Sequence, residues 1–380
     1  MRNSITFAVI LSSMMICSCK QSAQNANKVV VVNDDDAIEV NFEDVATDVQ
    51  VVPILGDIII GECYEMQCYG NELFIHDGRN AIYYFIDNVF KSKLYSVGRG
   101  PGEYINIRQF AYSVNDKILY IKPTNGKEIL WYSVPEMKYL GKTRLKEEAN
   151  SIFMHNDTTF LVSSNNDSLS SVQLIGKYTG NVIKEITDIY RFAEQRSYQS
   201  MSGYRPNSRI LSIAGYENLI YTLSENGQLK TIFRFGFGKK SIPEEYLNAH
   251  LYEERKIMDY MSFIYSSSAE KCLYGGFFCK RETNGVSFWY SKFFMGSDKL
   301  CYYRHTKNSD TNLKGFHVPG LNKPILPKCV TDEGYIMAFE GTSDMIIDPN
   351  TEPSPLAKQI IKAMDAQRDE NPVLVYFDIK

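Results

Sequence analysis

Beyond residue 37 the chain alternates between short runs rich in Ile, Val, Tyr and Phe and small clusters of Gly, Asn, Asp, Ser and Pro. That texture predicts β-strands joined by tight turns, because β-branched and aromatic side chains fit a pleated sheet while turn residues supply the angles that reverse it. Three Asn-Gly dipeptides, Asn125-Gly126, Asn226-Gly227 and Asn284-Gly285, sit between such runs. Asn-Gly favours the positive φ angles of hairpin turns, so antiparallel hairpins are expected. Six runs resemble one another: ELFIHD, ILYIKP, TFLVSS, LIYTLS, KCLYGGFF and GYIMAF. Measured from Phe74, Leu119, Phe160, Ile220, Leu273 and Tyr335, their steps are about 45, 41, 60, 53 and 62 residues, a spacing that suits four-stranded blades with unequal loops. The predicted fold is all-β, a six-bladed β-propeller over residues 38–380 at about 57 residues per blade. A β-sandwich or two stacked β-domains is the alternative, since no fixed repeat signature recurs.

The two ends of the chain favour a closed ring. The last run, NPVLVYFDIK, follows a helical pattern, SPLAKQIIKAMDAQRDE, and the first runs, AIEVNFEDV and VQVVPIL, precede the first core strand without a blade of their own. If the N- and C-terminal strands complete one blade together, neither leaves a long unpaired edge open to aggregation. A second helical insertion is predicted at 242–262, where Tyr246, Leu247, Leu251, Ile257, Met258 and Met261 fall on one face.

The N-terminus has a different texture. Arg2 precedes an uncharged stretch from Ile5 to Ile16, which as a helix spans about 18 Å and falls short of the roughly 30 Å hydrocarbon core. It reads as a secretory signal. The stretch ends in ICSC, which resembles the lipobox of bacterial lipoproteins; the resemblance makes Cys19 the lipidation site and residues 1–18 a removable lipoprotein signal peptide. A plain cleaved signal is the alternative. Residues 19–37 then form a lipidated N-terminus and polar linker, with Asp34–Asp36 a solvated run lacking the glycine and glutamate of a calcium loop. The membrane, reached through the lipid, is one expected partner. The formal charge of −4 gives no basic surface for a nucleic acid, so no such partner is expected. Beyond Cys19 six cysteines remain, at 63, 68, 272, 279, 301 and 329. They include no Cys-x-x-Cys pair, and they are expected to be mostly structural thiols with room for one or two disulfides.

The segment GRGPGEY at 98–104 is the densest motif. A dinucleotide fingerprint would need its third glycine three residues after the second and a helix next. Here Gly98, Gly100 and Gly102 lead into a strand-like run, so the segment predicts a structural corner, with Pro101 stiffening it, Tyr104 and Phe110 anchoring the next blade, and Glu103 pairing with Arg99, Arg108 or backbone N–H groups. The functional alternative turns Arg99, Glu103 and Arg108 toward a central channel. FGFGKKS at 235–241 fails as a P-loop, because Lys240 stands where Ser or Thr belongs. No Gly-x-Ser-x-Gly elbow and no His-Glu-x-x-His pair occurs. Of five scattered histidines, His76 beside Asp77 at the end of a core strand is the best ligand-binding candidate. A further candidate surface is the stretch 189–209, where Tyr198, Tyr204 and Arg205 combine rings and a guanidinium.

GRGPGEY also resembles the Gly-Pro-Gly-Glu-Tyr signature of a family of six-bladed β-propeller lipoproteins of the bacterial envelope. VVPIL upstream, NLIYTLSENGQLKTIFRFGFGKKSIP in the middle and NPVLVYFDIK at the end look like other patches of that family, in the same order. The resemblance implies an NHL-like propeller in the cell envelope, lipid-anchored at the outer membrane and facing the periplasm. It implies no activity and no catalytic or metal-binding residue. The leading expectation is a non-catalytic binding module for a glycan, a peptide or an envelope protein. A lyase or hydrolase with a channel-facing site, in which a divalent metal is the only cofactor considered, and a scaffold within an envelope complex are the alternatives.

Overall fold

A computed structural model describes residues 28–31, 41–124, 126–165, 170–186, 201–202, 210–213, 219–241, 262–268, 272–281, 285–294, 300–304, 317–322, 328–331, 334–339, 341, 346–367 and 371–379. In chain order, β1 (Lys28–Val31) and β2 (Ala46–Pro53) precede groups of four. The first sheet is β3 (Glu65–Tyr69), β4 (Glu72–His76), β5 (Ile82–Ile86) and β6 (Val89–Leu94). The second is β7 (Ile107–Ser113), β8 (Ile118–Pro123), β9 (Glu128–Ser133) and β10 (Tyr139–Arg144). β11 (Ala149–Asn156), β12 (Thr159–Asn165), β13 (Ser170–Gly176) and β14 (Val182–Glu185) make the third. The fourth contains β15 (Met201–Ser202), β16 (Ile210–Ile213), β17 (Leu219–Leu223) and β18 (Leu229–Gly236), with β1 added in parallel at its edge. The fifth is β19 (Ser262–Ser268), β20 (Cys272–Arg281), β21 (Gly285–Phe294) and β22 (Leu300–Arg304). Last come β23 (Cys329–Val330), β24 (Tyr335–Phe339) and β25 (Val373–Ile379), to which β2 adds the fourth strand in the order β2-β25-β24-β23.

This is a propeller-type, all-β arrangement of blade-like antiparallel sheets. The register of closure runs from Ala46 opposite Ile379 to Pro53 opposite Val373. Inner strands of neighbouring sheets approach one another around the ring: β23 meets β3, β7 meets β11, and β19 meets β15 and β23.

Burial explains why the central strands are apolar on both faces. In β4, Leu73 and Ile75 pack with Ile336 and Leu374 of the closing sheet, while Phe74 between them packs with Phe110, Tyr112 and Leu119 of the second sheet. The pattern repeats onward. Tyr120 and Ile129 of the second sheet join Phe160 and Val162 of the third, and Leu161 and Leu174 of the third meet Tyr221 and Leu223 of the fourth. A strand whose alternate residues enter two different cores reads as a continuous hydrophobic run, as strands of two-sided sheets do. Cys63, Cys68 and Cys329 sit in the layer between the closing and first sheets, where a thiol packs as a small hydrophobe.

Two sequence expectations need correction, and one matched run takes a different place in its sheet from the others. AIEVNFEDV does not supply a strand over its described part: Phe42–Val45 is a single helical turn, α1, whose Phe42 packs edge-on against Phe377 at 4.8 Å. LIYTLS is β17, the third strand of its sheet, whereas the other five matched runs fall on second strands. The apolar repeat is carried by two-sided burial, which second and third strands share, so the sequence could not tell them apart. The polar linker is not wholly linker either, since Lys28–Val31 pairs with Phe233–Gly236. The C-terminal helical pattern does form a helix, α2 (Pro355–Asp365), with Ser354 accepting from the Ala357 N–H as its N-cap and Leu356, Ala357, Ile360 and Met364 buried. The expected helix at 242–262 lies outside the described residues up to 261, and Ser262 begins β19.

In each meander the first-to-second and third-to-fourth turns lie at one end, hereafter the hairpin end. The second-to-third turns and inter-sheet connections lie at the other, the connection end. Ion pairs join successive sheets at the hairpin end. Glu72, at the start of β4, accepts from the Tyr84 hydroxyl, from Tyr112 across the sheet boundary at 2.9 Å and from Lys117 Nζ at 2.8 Å. Burial pushes the Glu72 carboxyl up, but Lys117 and the two hydroxyls outweigh it and leave the group below its ordinary value. One boundary further on, buried Lys177 pairs with Asp116 at 2.5 Å. Near the axis, side chains on inner strands reach the next inner strand's backbone: Gln67 donates to the Phe110 carbonyl at 2.9 Å, and Gln109 accepts from the Ile152 N–H at 2.8 Å.

Glu72→Ala should lower stability by about 2 kcal/mol, since two tyrosine hydroxyls and an ammonium lose their acceptor, and Glu72→Gln, which keeps a neutral acceptor, should lower it less; urea denaturation checks both. The pH dependence has a defined sign. Glu72 has a folded value below its ordinary 4.5, so its contribution is complete above pH 4.5 and is lost as pH falls through the lower folded value. His76, buried and depressed below 6.5, adds a loss that begins below pH 6.5, where the unfolded chain takes up a proton that the folded chain resists. His76→Phe should remove the latter component of the acid profile and leave the former.

Candidate functional site

The 95–106 segment links β6 to β7 at the connection end of the first two sheets. Its hydrogen bonds form a short ladder: the Gly98 N–H donates to the Tyr104 carbonyl and the Tyr104 N–H to the Ser96 carbonyl, each at 3.0 Å. The Glu103 N–H donates to the Gly100 carbonyl at 3.0 Å, and the Glu103 carboxylate accepts from the Gly100 N–H at 2.6 Å. Tyr104 is buried and donates its hydroxyl to the Asn80 carbonyl in the β4–β5 turn at 3.0 Å. One glycine is required by this geometry and a second leaves room for a side chain. A Cβ on Gly98 would lie 2.0 Å from Glu103 Oε2. Gly102 has φ +77° and a Cβ there would lie 2.4 Å from the Tyr139 ring, a conformation and a clearance that only glycine meets. The corner is therefore a built element of the fold, with Glu103 satisfied by backbone.

Against this corner lies a cleft of about 550 Å³. One wall is the segment itself, with Glu103 and Ile105; the facing wall comes from the β8–β9 turn and the end of β10, with Thr124, Lys127, Glu128 and Arg144. Glu128 takes Lys142 Nζ at 2.6 Å and Arg144 Nε at 3.9 Å. Lys127 and Arg144 are exposed at the cleft. Ile105, half exposed, gives the mouth an apolar lip. Mixed charge beside an apolar edge is the surface chemistry that takes polar ligands with hydrophobic faces, such as sugars and peptides.

The residues singled out in the sequence are not gathered here. Glu103 lines the cleft, whereas Arg99 is exposed outside its lining. Arg108 lies on β7 and donates Nε to the Asn150 carbonyl of the third sheet at 2.9 Å. His76 is fully buried between Tyr64 and Phe110, with ring centroids 5.8 and 6.4 Å away. Asp77 Oδ1, 4.0 Å from Nε2, is committed to the N–H groups of Arg79, Asn80 and Ala81. Burial holds the His76 imidazole below its ordinary value, against the smaller opposing pulls of Asp77 and the Arg79 backbone. Tyr198, Tyr204, Arg205 and Cys19 lie outside the described residues.

What the sequence did not signal is the facing wall. Lys127, Glu128 and Arg144 read as an ordinary solvated face, and only sheet geometry sets them against the glycine-rich corner. Lys122 was also missed. It is fully buried on β8 at the register position that His76 holds on β4, opposite Gln109 as His76 is opposite Glu65. Burial lowers its pKa to about 8, with Glu148 opposing and Arg108 adding to the effect, and Nζ donates to the Pro123 carbonyl at 2.5 Å. Among the described residues no three His, Cys, Asp or Glu side chains are grouped to hold a metal ion, and no helix is long and apolar enough to cross a membrane.

Comparison with known proteins adds a family and a fold. The model of a family described as a domain of unknown function (DUF4934) matches residues 27–378. No curated protein matches the chain in sequence. Among solved structures, BF0058 from Bacteroides fragilis NCTC 9343, assigned by inference as an exported protein, superposes with a TM-score of 0.64 over 93% of this chain and 100% of its own, at 16% identity. A member of the DUF4221 family from Bacteroides vulgatus ATCC 8482 gives a TM-score of 0.47 at 12% identity, covering 88% of this chain and 98% of its own.

Gly102→Ala should destabilise the protein by about 2 kcal/mol through its left-handed backbone and the Tyr139 ring. Glu103→Ala should cost less, because only one charge-assisted backbone hydrogen bond is lost; thermal unfolding of the two variants side by side tests that order.

Proposed function

This chain belongs to the DUF4934 family, and from that premise we propose that it is an envelope lipoprotein whose six-bladed, NHL-like propeller acts as a non-catalytic binding module. The ligand class is a glycan or peptide, and a segment of another envelope protein presents the same chemistry. The observation that carries the reading is the cleft at the connection end of the second sheet, where Lys127 and Arg144 stand exposed across from Glu103 and the apolar Ile105. Its walls are held by a corner whose own polar groups are engaged internally. A pre-formed, open site of this kind binds without reorganising the scaffold.

Location follows from the N-terminal residues. Signal cleavage before Cys19 and acylation of that thiol place the propeller on a lipid tether, at the outer membrane and facing the periplasm. Several buried acyl chains suffice for stable anchoring, since each methylene contributes about 0.8 kcal/mol.

A thermal-shift screen of the full-length protein against oligosaccharides, peptides and divalent ions tests the reading, because a ligand that binds only the native state raises the melting temperature. For a saccharide or peptide hit, Lys127→Ala with Arg144→Ala should weaken binding roughly tenfold or more, while the melting temperature of the free protein stays near wild type because both side chains are exposed. Tyr198→Ala with Tyr204→Ala reports whether the 189–209 stretch shares in binding. A hit indifferent to the cleft pair removes the proposed site, and conversion of a hit to product replaces the binding module with an enzyme.

A further inference from the structure

The charges of the cleft are unevenly engaged. Two carboxylates line it, and both already have partners. Glu103 accepts from the Gly100 N–H at 2.6 Å, and its Oε2 fills the space that a side chain on Gly98 would need. Glu128 takes Lys142 Nζ at 2.6 Å and stands 3.9 Å from Arg144 Nε, so two cations share one negative charge. The Arg144 side chain is 80% exposed and meets Glu128 through its Nε edge alone. Among the described residues no hydrogen bond occupies its two Nη groups, and no carboxylate lies within ion-pair distance of exposed Lys127. The charge left over on this wall is therefore positive.

The backbone of the walls narrows the class of ligand. An extended peptide bound by strand addition needs a row of open N–H and C=O groups. On the corner, the N–H groups of Gly98, Glu103 and Tyr104 are bonded within the segment. On the facing wall the Thr124 N–H donates to the Asn106 carbonyl at 3.0 Å, and the Leu145 N–H to the Lys127 carbonyl at 2.6 Å. Recognition falls to side chains. Asn106 and Thr124 offer an amide and a hydroxyl to ligand hydroxyls, while Ile105 and Leu145 offer apolar area to the C–H face of a sugar ring. The cleft's volume of about 550 Å³ lies within the roughly 300–1,000 Å³ of small-ligand sites, which suits a few sugar rings. A guanidinium fork matches a planar carboxylate through two parallel hydrogen bonds, whereas a lysine supplies charge without that geometry.

We propose that the cleft selects an acidic oligosaccharide, with a uronate carboxylate seated on the open fork of Arg144 and beside Lys127. The inference rests on the cleft being the binding site, and it adds the charge that the ligand carries. Titration calorimetry on the full-length protein tests it with trigalacturonate and a hyaluronan tetrasaccharide as two uronate sources, each also as its neutral methyl ester, and with triglutamate as an acidic peptide. At least one uronate should bind, roughly tenfold or more tightly than its own ester. Raising NaCl from about 0.02 to 0.5 M should narrow that gap. Arg144→Lys, which keeps the charge and loses the fork, should weaken uronate binding roughly tenfold, with the melting temperature of the free variant near wild type. Equal binding of acid and ester, tighter binding of triglutamate than of either uronate, an unaffected Arg144→Lys variant, or no binding of either uronate would each overturn the inference. Equal binding of acid and ester that still depends on Lys127 and Arg144 leaves the cleft as a site for neutral sugars. A hit that ignores both residues removes the cleft itself, so the two failures are distinct.

Discussion

The closing sheet and the first three sheets each bury both of their faces, so the layers between them are not complete until the closing sheet has all four strands. That constraint puts unusual weight on the backbone ladder between β2 and β25, where residues more than 300 positions apart in sequence pair in antiparallel register. Without β2 the closing sheet would expose an edge, and the layer of Ile75, Tyr83, Phe85, Ile336 and Leu374 beneath it would lose its seal. The chain-reversal entropy of bringing such distant segments together grows only logarithmically with length. The ladder and the apolar layer can therefore outweigh it.

Polar groups reinforce the same boundaries. Glu72, Tyr84, Tyr112 and Lys117 form a cluster between the first and second sheets, and Asp116 with Lys177 repeats the device between the second and third. Apolar layers alone would let adjacent sheets slide, since hydrophobic contact is not directional. Fixed hydrogen bonds at the hairpin end set the relative register of the sheets. The connection end is left to the longer segments, and there the cleft is found.

The glycine-rich corner is best understood through that division of labour. Gly98 makes room for the Glu103 carboxylate, Gly102 turns the chain beneath Tyr139, and Tyr104 ties the segment to the β4–β5 turn. Its residues look like chemistry in the sequence, yet most of their polar atoms satisfy backbone. The groups open to a ligand are plainer ones, Lys127 and Arg144, on the wall opposite. A conspicuous motif can thus mark the scaffold of a site while unremarkable charges supply its contacts.

The apolar and aromatic runs and the turn residues of this sequence determined an all-β chain of short strands, and the similarity of runs such as ELFIHD and ILYIKP pointed to repeated sheets, while the burial of both faces of those strands came from the structure. The terminal segments VQVVPIL and NPVLVYFDIK were legible as partners because neither had a sheet of its own. Capping and periodicity at Ser354–Asp365 sufficed for α2, since those signals are local. What only the tertiary structure decided depends on distance in space. It assigned LIYTLS to a third strand, turned Val29–Val31 into an added edge strand, buried His76 between Tyr64 and Phe110, and carried Arg108 to a neighbouring sheet's carbonyl. It also placed residues 124–128 and 144 across a cleft from residue 103. Local pattern records how a segment satisfies itself; which distant segment it faces is set by the twist and order of the sheets, and no single stretch of residues encodes that.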